Sequence, residues 1–336
     1  MGNNPKQDLR CCIAAEGLAS AQGAVRSVRI ATAVQGFVLS VSAYHQHTVA
    51  GPAIFAGIGL HTGEHVRVAI RPAAPDSGVV FVRTDIKDRD NQVPVSPQAV
   101  VKTQLGTVIG NDAGVTVSTI EHLMAALAAL SIDNAIVELD GPEAPILDGS
   151  SQPFIEILDH VGRRRQEAAR RYIEMIDTVE VVEGDKRASL SPSEQFEVAF
   201  EIQFDAAPIG RQRVDLVVDE AAFREELADC RTFGFVRDVE ALRAIGLARG
   251  GSMENAVVLD GDRILNPEGL RRPDEFVRHK ALDAVGDLYV LGMPILGRFD
   301  GLYAGHGLNN MVVRALVANP EAWRVRTWTQ ELAEAV

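Results

Sequence analysis

The sequence predicts an α+β protein, and three observations carry that expectation. Short β-patterned runs punctuated by glycine recur through residues 44–139 and return between 173 and 204. Each half also holds a helix that opens on a histidine ahead of small and aliphatic residues, His122-Leu-Met-Ala-Ala-Leu in one and His279-Lys-Ala-Leu-Asp-Ala in the other. At 336 residues the chain is long enough for two domains, each with its own core. The expected boundaries are 44–168 for domain I and 169–336 for domain II. The likeness of the two helices is a faint internal repeat; if the halves pack together, both histidines reach one cleft.

Residues 1–43 stand apart. Arg26 and Arg29 precede an apolar stretch over 30–43 that loosely imitates a signal peptide, but its charged segment is too long and Gln35 and Gly36 interrupt it. A disordered extension, or a start placed too early, fits better. Strands then follow over 47–51, 55–60 and 65–72. The run Gly57-Ile-Gly-Leu-His-Thr-Gly63 between them is one residue too long for a dinucleotide fingerprint and leads into a strand, so it reads as a hairpin. Further strands are expected over 78–83, 115–117 and 134–139, with an almost wholly apolar helix from Ile120 whose Ser118-x-x-Glu121 start reads as a capping box. Asp148-Gly149-Ser150 turns into a helix with Pro153 in its first turn. The charge run over 163–171 reads as a solvated linker.

The second half opens with strands over 173–176, 180–182 and 197–204 and a helix over 220–230. Arg231-Thr232-Phe233-Gly234-Phe235 reads as a strand edge, or alternatively as a pocket-lining loop with two aromatics beside a hydroxyl. Residues 239–265, with a helix ending at Gly250 and Gly251, read as an inserted subdomain. His306 lies between glycines, open to solvent or to an approaching substrate.

The chemistry concentrates in the last helix. His279 and Asp283 are four residues apart, so a helix projects imidazole and carboxylate from one face. At about 100° per residue His279, Lys280, Asp283 and Asp287 share one arc, while Val277, Ala281, Val285 and Leu288 occupy the other. A polar stripe facing solvent is the ordinary alternative, and burial separates the two. Glu121-His122 offers a second imidazole and a spare carboxylate. Two histidines and an aspartate suit catalytic zinc, which takes three protein ligands and keeps one position open. The net charge of −13 argues against nucleic-acid binding. Cys11, Cys12 and Cys230 form no spaced framework, which points to a reducing compartment, and no apolar stretch is long enough to span a bilayer.

In order along the chain, Gly57-Ile-Gly-Leu-His-Thr-Gly63, Ser118-Thr-Ile-Glu-His-Leu123, Pro145-Ile-Leu-Asp-Gly-Ser150, Arg231-Thr-Phe-Gly-Phe235, the run from Phe276 to Asp287, and Gly305-His306 give the sequence its resemblance to the UDP-3-O-acyl-N-acetylglucosamine deacetylases. These are zinc amidases of lipid A biosynthesis in Gram-negative bacteria. The resemblance implies two domains of similar layered sheet-and-helix fold, each with a small insert, and an active site at their interface. It implies a cytoplasmic monomer that acts on a small-molecule substrate. It further implies that His122, His279 and Asp283 bind one zinc ion, with Glu121 as general base and His306 as a cation that acts as acid or steadies the oxyanion. Thr232 would hydrogen-bond the tetrahedral intermediate, Lys280 would support substrate and Asp287 would support His306. Phe233 and Phe235 would contact substrate, and the insert near 245–252 would form an apolar passage for the acyl chain.

The sequence departs from the family pattern at two places. Residues 1–43 have no counterpart, and Gly106 stands where some relatives carry a cysteine near the metal, which bears on metal affinity. Two other functions compete: a zinc amidase for another sugar or peptide amide, although the His-Glu-x-x-His arrangement of common peptidases is missing, and a non-catalytic nucleotide-sugar binding protein.

Overall fold

Val66, Val68 and Ile70 are buried while the residues beside them are more open, the two-residue alternation that makes His65–Pro72 a half-buried strand. The computed structural model describes residues 44–327, so the expected extension over 1–43 and the tail over 328–336 lie outside the described residues. His65–Pro72 is second in a five-stranded sheet ordered Ala53–Ile58, His65–Pro72, Ala135–Leu139, Val79–Arg83, Gln92–Pro94; only Ala135–Leu139 and Val79–Arg83 pair in parallel. The glycine run is the expected hairpin, closed by Gly59 N–H donating to the Glu64 carbonyl at 2.9 Å and Gly63 N–H to the Gly59 carbonyl at 3.0 Å.

A seven-stranded mixed sheet draws on residues 171–327. Its central strand, Ile295–Leu302, pairs antiparallel with Lys186–Ser191 and in parallel with Arg171–Met175 and Phe196–Gln203. Val179–Glu183, Arg211–Val217 and Trp323–Thr327 lie outside these. Three smaller sheets complete the mixed α+β architecture that the sequence predicts.

Six helices accompany the sheets among the described residues: α1 (Glu121–Ala129), α2 (Gln152–Val161), α3 (Glu220–Ala222), α4 (Val236–Ala244), α5 (Glu275–Leu288) and α6 (His306–Ala318). Beyond Glu121 and His122, helix α1 is apolar on every side and correspondingly buried. Helix α5 packs against its first turn so closely that a Cβ built on Gly286 would lie 2.0 Å from the Glu121 carbonyl oxygen. Only glycine permits that approach. No helix among the described residues is long and apolar enough to cross a membrane.

Several sequence expectations are corrected. Ser118 and Glu121 form no capping box: the residue before α1 is Ile120, which makes no side-chain cap, and Ser118 Oγ donates instead to the Pro142 carbonyl at 3.3 Å. The charge run is no solvated linker. Arg163–Ala169 is a strand paired antiparallel with His45–Val49, and Arg170 is buried with its Nε 2.8 Å from Asp133 Oδ1. The helix expected over 220–230 is only α3 followed by the π-helical turn Phe223–Leu227. Phe233–Phe235 is a strand, as the strand-edge reading has it.

Candidate metal centre

The polar stripe of α5 does not face water. His279 is 1 % exposed, Asp283 2 % and Asp287 3 %, and across from them Glu121 is 3 % and His122 4 % exposed. His122 sits in the first turn of α1, fixed where Ser151 Oγ donates to its carbonyl at 2.8 Å. His122 Nε2 is 3.4 Å and His279 Nε2 3.3 Å from Asp283 Oδ1. One ligand atom from each residue lies within 4.8 Å of the others. His279 Nδ1 donates to the Cys230 carbonyl at 3.0 Å, which leaves its Nε2 lone pair facing the cluster. Burial pushes the His279 imidazole down to about 3, so the ring is neutral. Burial works against ionisation of Asp283 too, yet the Lys280 ammonium at 2.8 Å holds its carboxyl well below the usual range, and its Oδ1 has no hydrogen-bond partner. A buried, unsatisfied carboxylate oxygen between imidazole nitrogens calls for a cation, and this nitrogen-rich donor set fits zinc better than calcium or magnesium.

Beside these three residues lies a second hydrogen-bonded group. Glu121 Oε2 accepts from Thr107 N–H at 2.9 Å, and burial lifts its carboxyl above the usual range. Asp287 Oδ2 accepts from His306 Nδ1 at 2.8 Å and from Asn309 Nδ2 at 2.9 Å, while its Oδ1 accepts from Thr107 Oγ1 at 2.6 Å. Burial disfavours a charged His306, but the Asp287 carboxylate outweighs it and raises the imidazole to about 9. His306 opens α6 with its ring turned onto Asp287, and its side chain stays 12 % exposed. Lys280 Nζ donates to Asp283 Oδ2 at 2.8 Å and lies 5.8 Å from the centre of the Phe233 ring. A Cβ at Gly106, whose φ of +155° favours glycine, would lie 3.0 Å from Glu121 Oε1, so a side chain there would press on that carboxylate.

Thr232 is held through its backbone, its N–H donating to the Gly149 carbonyl and its carbonyl accepting from Val257 N–H, both at 2.8 Å. The Asp148-Gly-Ser turn therefore also anchors Thr232. Phe233 stacks edge-on against Phe276 at 5.0 Å and lies 6.5 Å from His279. Phe235 packs against Phe204 at 6.1 Å with the Arg237 guanidinium 4.7 Å from its ring centre. Helix α4 begins at Val236, three residues ahead of the segment expected over 239–265, and Ile245 just past its end is exposed.

Sequence reasoning misses Thr107, Asn309 and the Arg231–Glu275 pair. The segment 103–107 carries only the Gly106 signal, and Thr107 reaches partners 14 and 180 residues away. Arg231, beside Thr232, is buried with Glu275 in the first turn of α5, its Nε 2.8 Å from Glu275 Oε1. Glu275→Ala would remove the buried partner of that guanidinium, leaving it Glu268 Oε1 at 2.6 Å and the Gly269 carbonyl at 2.8 Å, and is expected to destabilise the fold by about 1.5–3 kcal/mol. Urea denaturation checks it; a loss below about 1 kcal/mol would show the pair to be dispensable.

Comparison with known proteins agrees with the geometry. The family model described as UDP-3-O-acyl N-acetylglycosamine deacetylase matches residues 46–318. A UDP-3-O-acyl-N-acetylglucosamine deacetylase of Phenylobacterium zucineum is 71 % identical over 291 residues, covering 87 % of this chain and 99 % of the relative. Proteins of the same name from Myxococcus xanthus and Shewanella frigidimarina are 48 % and 49 % identical, covering 84 % and 85 % of this chain and 90 % and 94 % of the relatives. Matches of this extent leave one assignment: the chain belongs to the UDP-3-O-acyl N-acetylglycosamine deacetylase family.

Proposed function

We propose that this chain hydrolyses the acetamide of UDP-3-O-acyl-N-acetylglucosamine to the free amine and acetate, a step of lipid A biosynthesis, with one zinc ion held by His122, His279 and Asp283. The observation that carries this reading is the buried convergence of those three side chains beside Glu121 and His306 in a member of a deacetylase family. In this reading the chain is a cytoplasmic monomer, and 44–168 and 169–336 are two similarly layered domains, each with a small insert, with the site at their interface. The contact of α1, from the first, with α5, from the second, supports that arrangement.

Zinc, when bound, supplies Lewis acidity that brings the pKa of water toward about 7 and polarises a carbonyl. Glu121 takes the proton of the attacking water, and its raised proton affinity brings it closer to working pH. Thr232, whose hydroxyl has no hydrogen-bond partner among the described residues, donates to the oxyanion. The His306 cation, kept charged by Asp287, steadies the same developing charge. Breaking the C–N bond requires a proton on nitrogen, and at that stage both Glu121 and His306 carry one. Lys280 supports substrate from its place beside Asp283 and Phe233. Phe233 and Phe235 contact substrate, and the insert near 245–252 forms an apolar passage for the acyl chain.

Acetate release from acylated and unacylated UDP-sugar tests the substrate. Turnover that depends on the acyl group is expected; equal rates would point to another amide, and no acetate in a single turnover would leave a binding protein. His279→Ala and Asp283→Ala are expected to lower bound zinc from about one per chain to a small fraction of that after dialysis. Full occupancy in either variant would remove that residue from the ligand set.

A further inference from the structure

We propose that Thr107 is a positioning residue that links Glu121 to His306 through Asp287. The inference rests on the roles proposed above for Glu121 and His306. Its backbone N–H donates to Glu121 Oε2 at 2.9 Å, and its hydroxyl donates to Asp287 Oδ1 at 2.6 Å. Asp287 in turn holds His306 through its other oxygen. One buried residue therefore fixes the base directly and the imidazole through one carboxylate.

The backbone that delivers Thr107 supports this role. Leu105 has φ +63° and Gly106 φ +155°, so two consecutive residues sit outside the ordinary regions. Such geometry persists where surroundings enforce it. Here His61 Nε2 donates to the Leu105 carbonyl at 3.0 Å, and His61 Nδ1 accepts from Ala248 N–H at 3.4 Å, bracing the loop from outside. The result is an N–H and an O–H from one residue aimed at two different carboxylates. A threonine placed only to fill space needs neither bond, and valine would fill the same volume without a buried hydroxyl to satisfy. With the hydroxyl gone, Asp287 Oδ1 loses the donor that fixes its plane, and the imidazole on Oδ2 loses its reference.

The test is Thr107→Val and Thr107→Ser, alone and combined with Asp287→Asn, in the zinc-loaded full chain. Thr107→Val keeps the N–H to Glu121 and removes the hydroxyl. It is expected to lower kcat by about 10- to 100-fold, the scale of a hydrogen bond to a charged group, with KM and zinc content unchanged. Thr107→Ser should return kcat to within about threefold of the parent. In the Asp287→Asn background Thr107→Val should cost little more, because the link is already broken. A parental kcat in Thr107→Val, no rescue by serine, or a loss that adds in full to that of Asp287→Asn would overturn the proposal. Thr107→Ala replaces valine if that variant does not fold, as judged by its Tm. Glu121→Gln and Asp287→Asn run alongside as single variants: if they turn over normally the catalytic reading itself fails, and if they are impaired while Thr107→Val is not, only the role of Thr107 fails.

Discussion

Glu121→Gln is expected to retain zinc and to lose about 10²- to 10⁴-fold in kcat, the range for a positioned general base. Glutamine keeps the size of the side chain and can still accept from Thr107 N–H, so the buried site stays filled. What disappears is a carboxylate that can take a proton. Burial holds that carboxyl above its usual range, so the acid limb of the parent's kcat profile should lie above an ordinary glutamate pKa of about 4.3. Steady-state acetate release with zinc analysis of the same samples checks both. Near-parental turnover at full zinc occupancy would take the base role away from Glu121.

His306→Ala is expected to lower kcat by about 10²- to 10³-fold with the metal in place, as when a preorganised partner of a developing oxyanion is removed. The pH dependence gives a sharper check. His306 is raised to about 9, so it is cationic below that pH and activity should fall as pH rises through it. Asp287→Asn removes the carboxylate that offsets burial, so the alkaline limb should move to lower pH. A limb that stays in place in Asp287→Asn would assign the titration to some other group.

The helices that carry the proposed ligands are legible in the sequence because their signal is local. An imidazole and a carboxylate four residues apart can be read directly from 279–283, as can the alternation of 65–72. Burial of α5 is less legible, since its charged arc looks like a solvated one until α1 and α6 cover it. The capping box fails for a related reason: Ser118-x-x-Glu121 has the right local spacing, but Glu121 bonds across the site to Thr107 and Ser118 turns to Pro142. The arginine-rich run misleads because composition says nothing about its backbone, which pairs with His45–Val49 while Gln166 points inward. Thr107, Asn309 and Glu275 leave no trace in the sequence, because each acts on a partner far along the chain or on another element.

Gly286 sets how closely α5 can approach α1. Since its bare Cα rests against the Glu121 carbonyl, the two helices meet at a hard stop made of main chain. The separation between His122 on one helix and His279 and Asp283 on the other therefore rests on a main-chain contact. A methyl group at 286 would meet that carbonyl and push the two helices apart, carrying His122 away from His279 and Asp283.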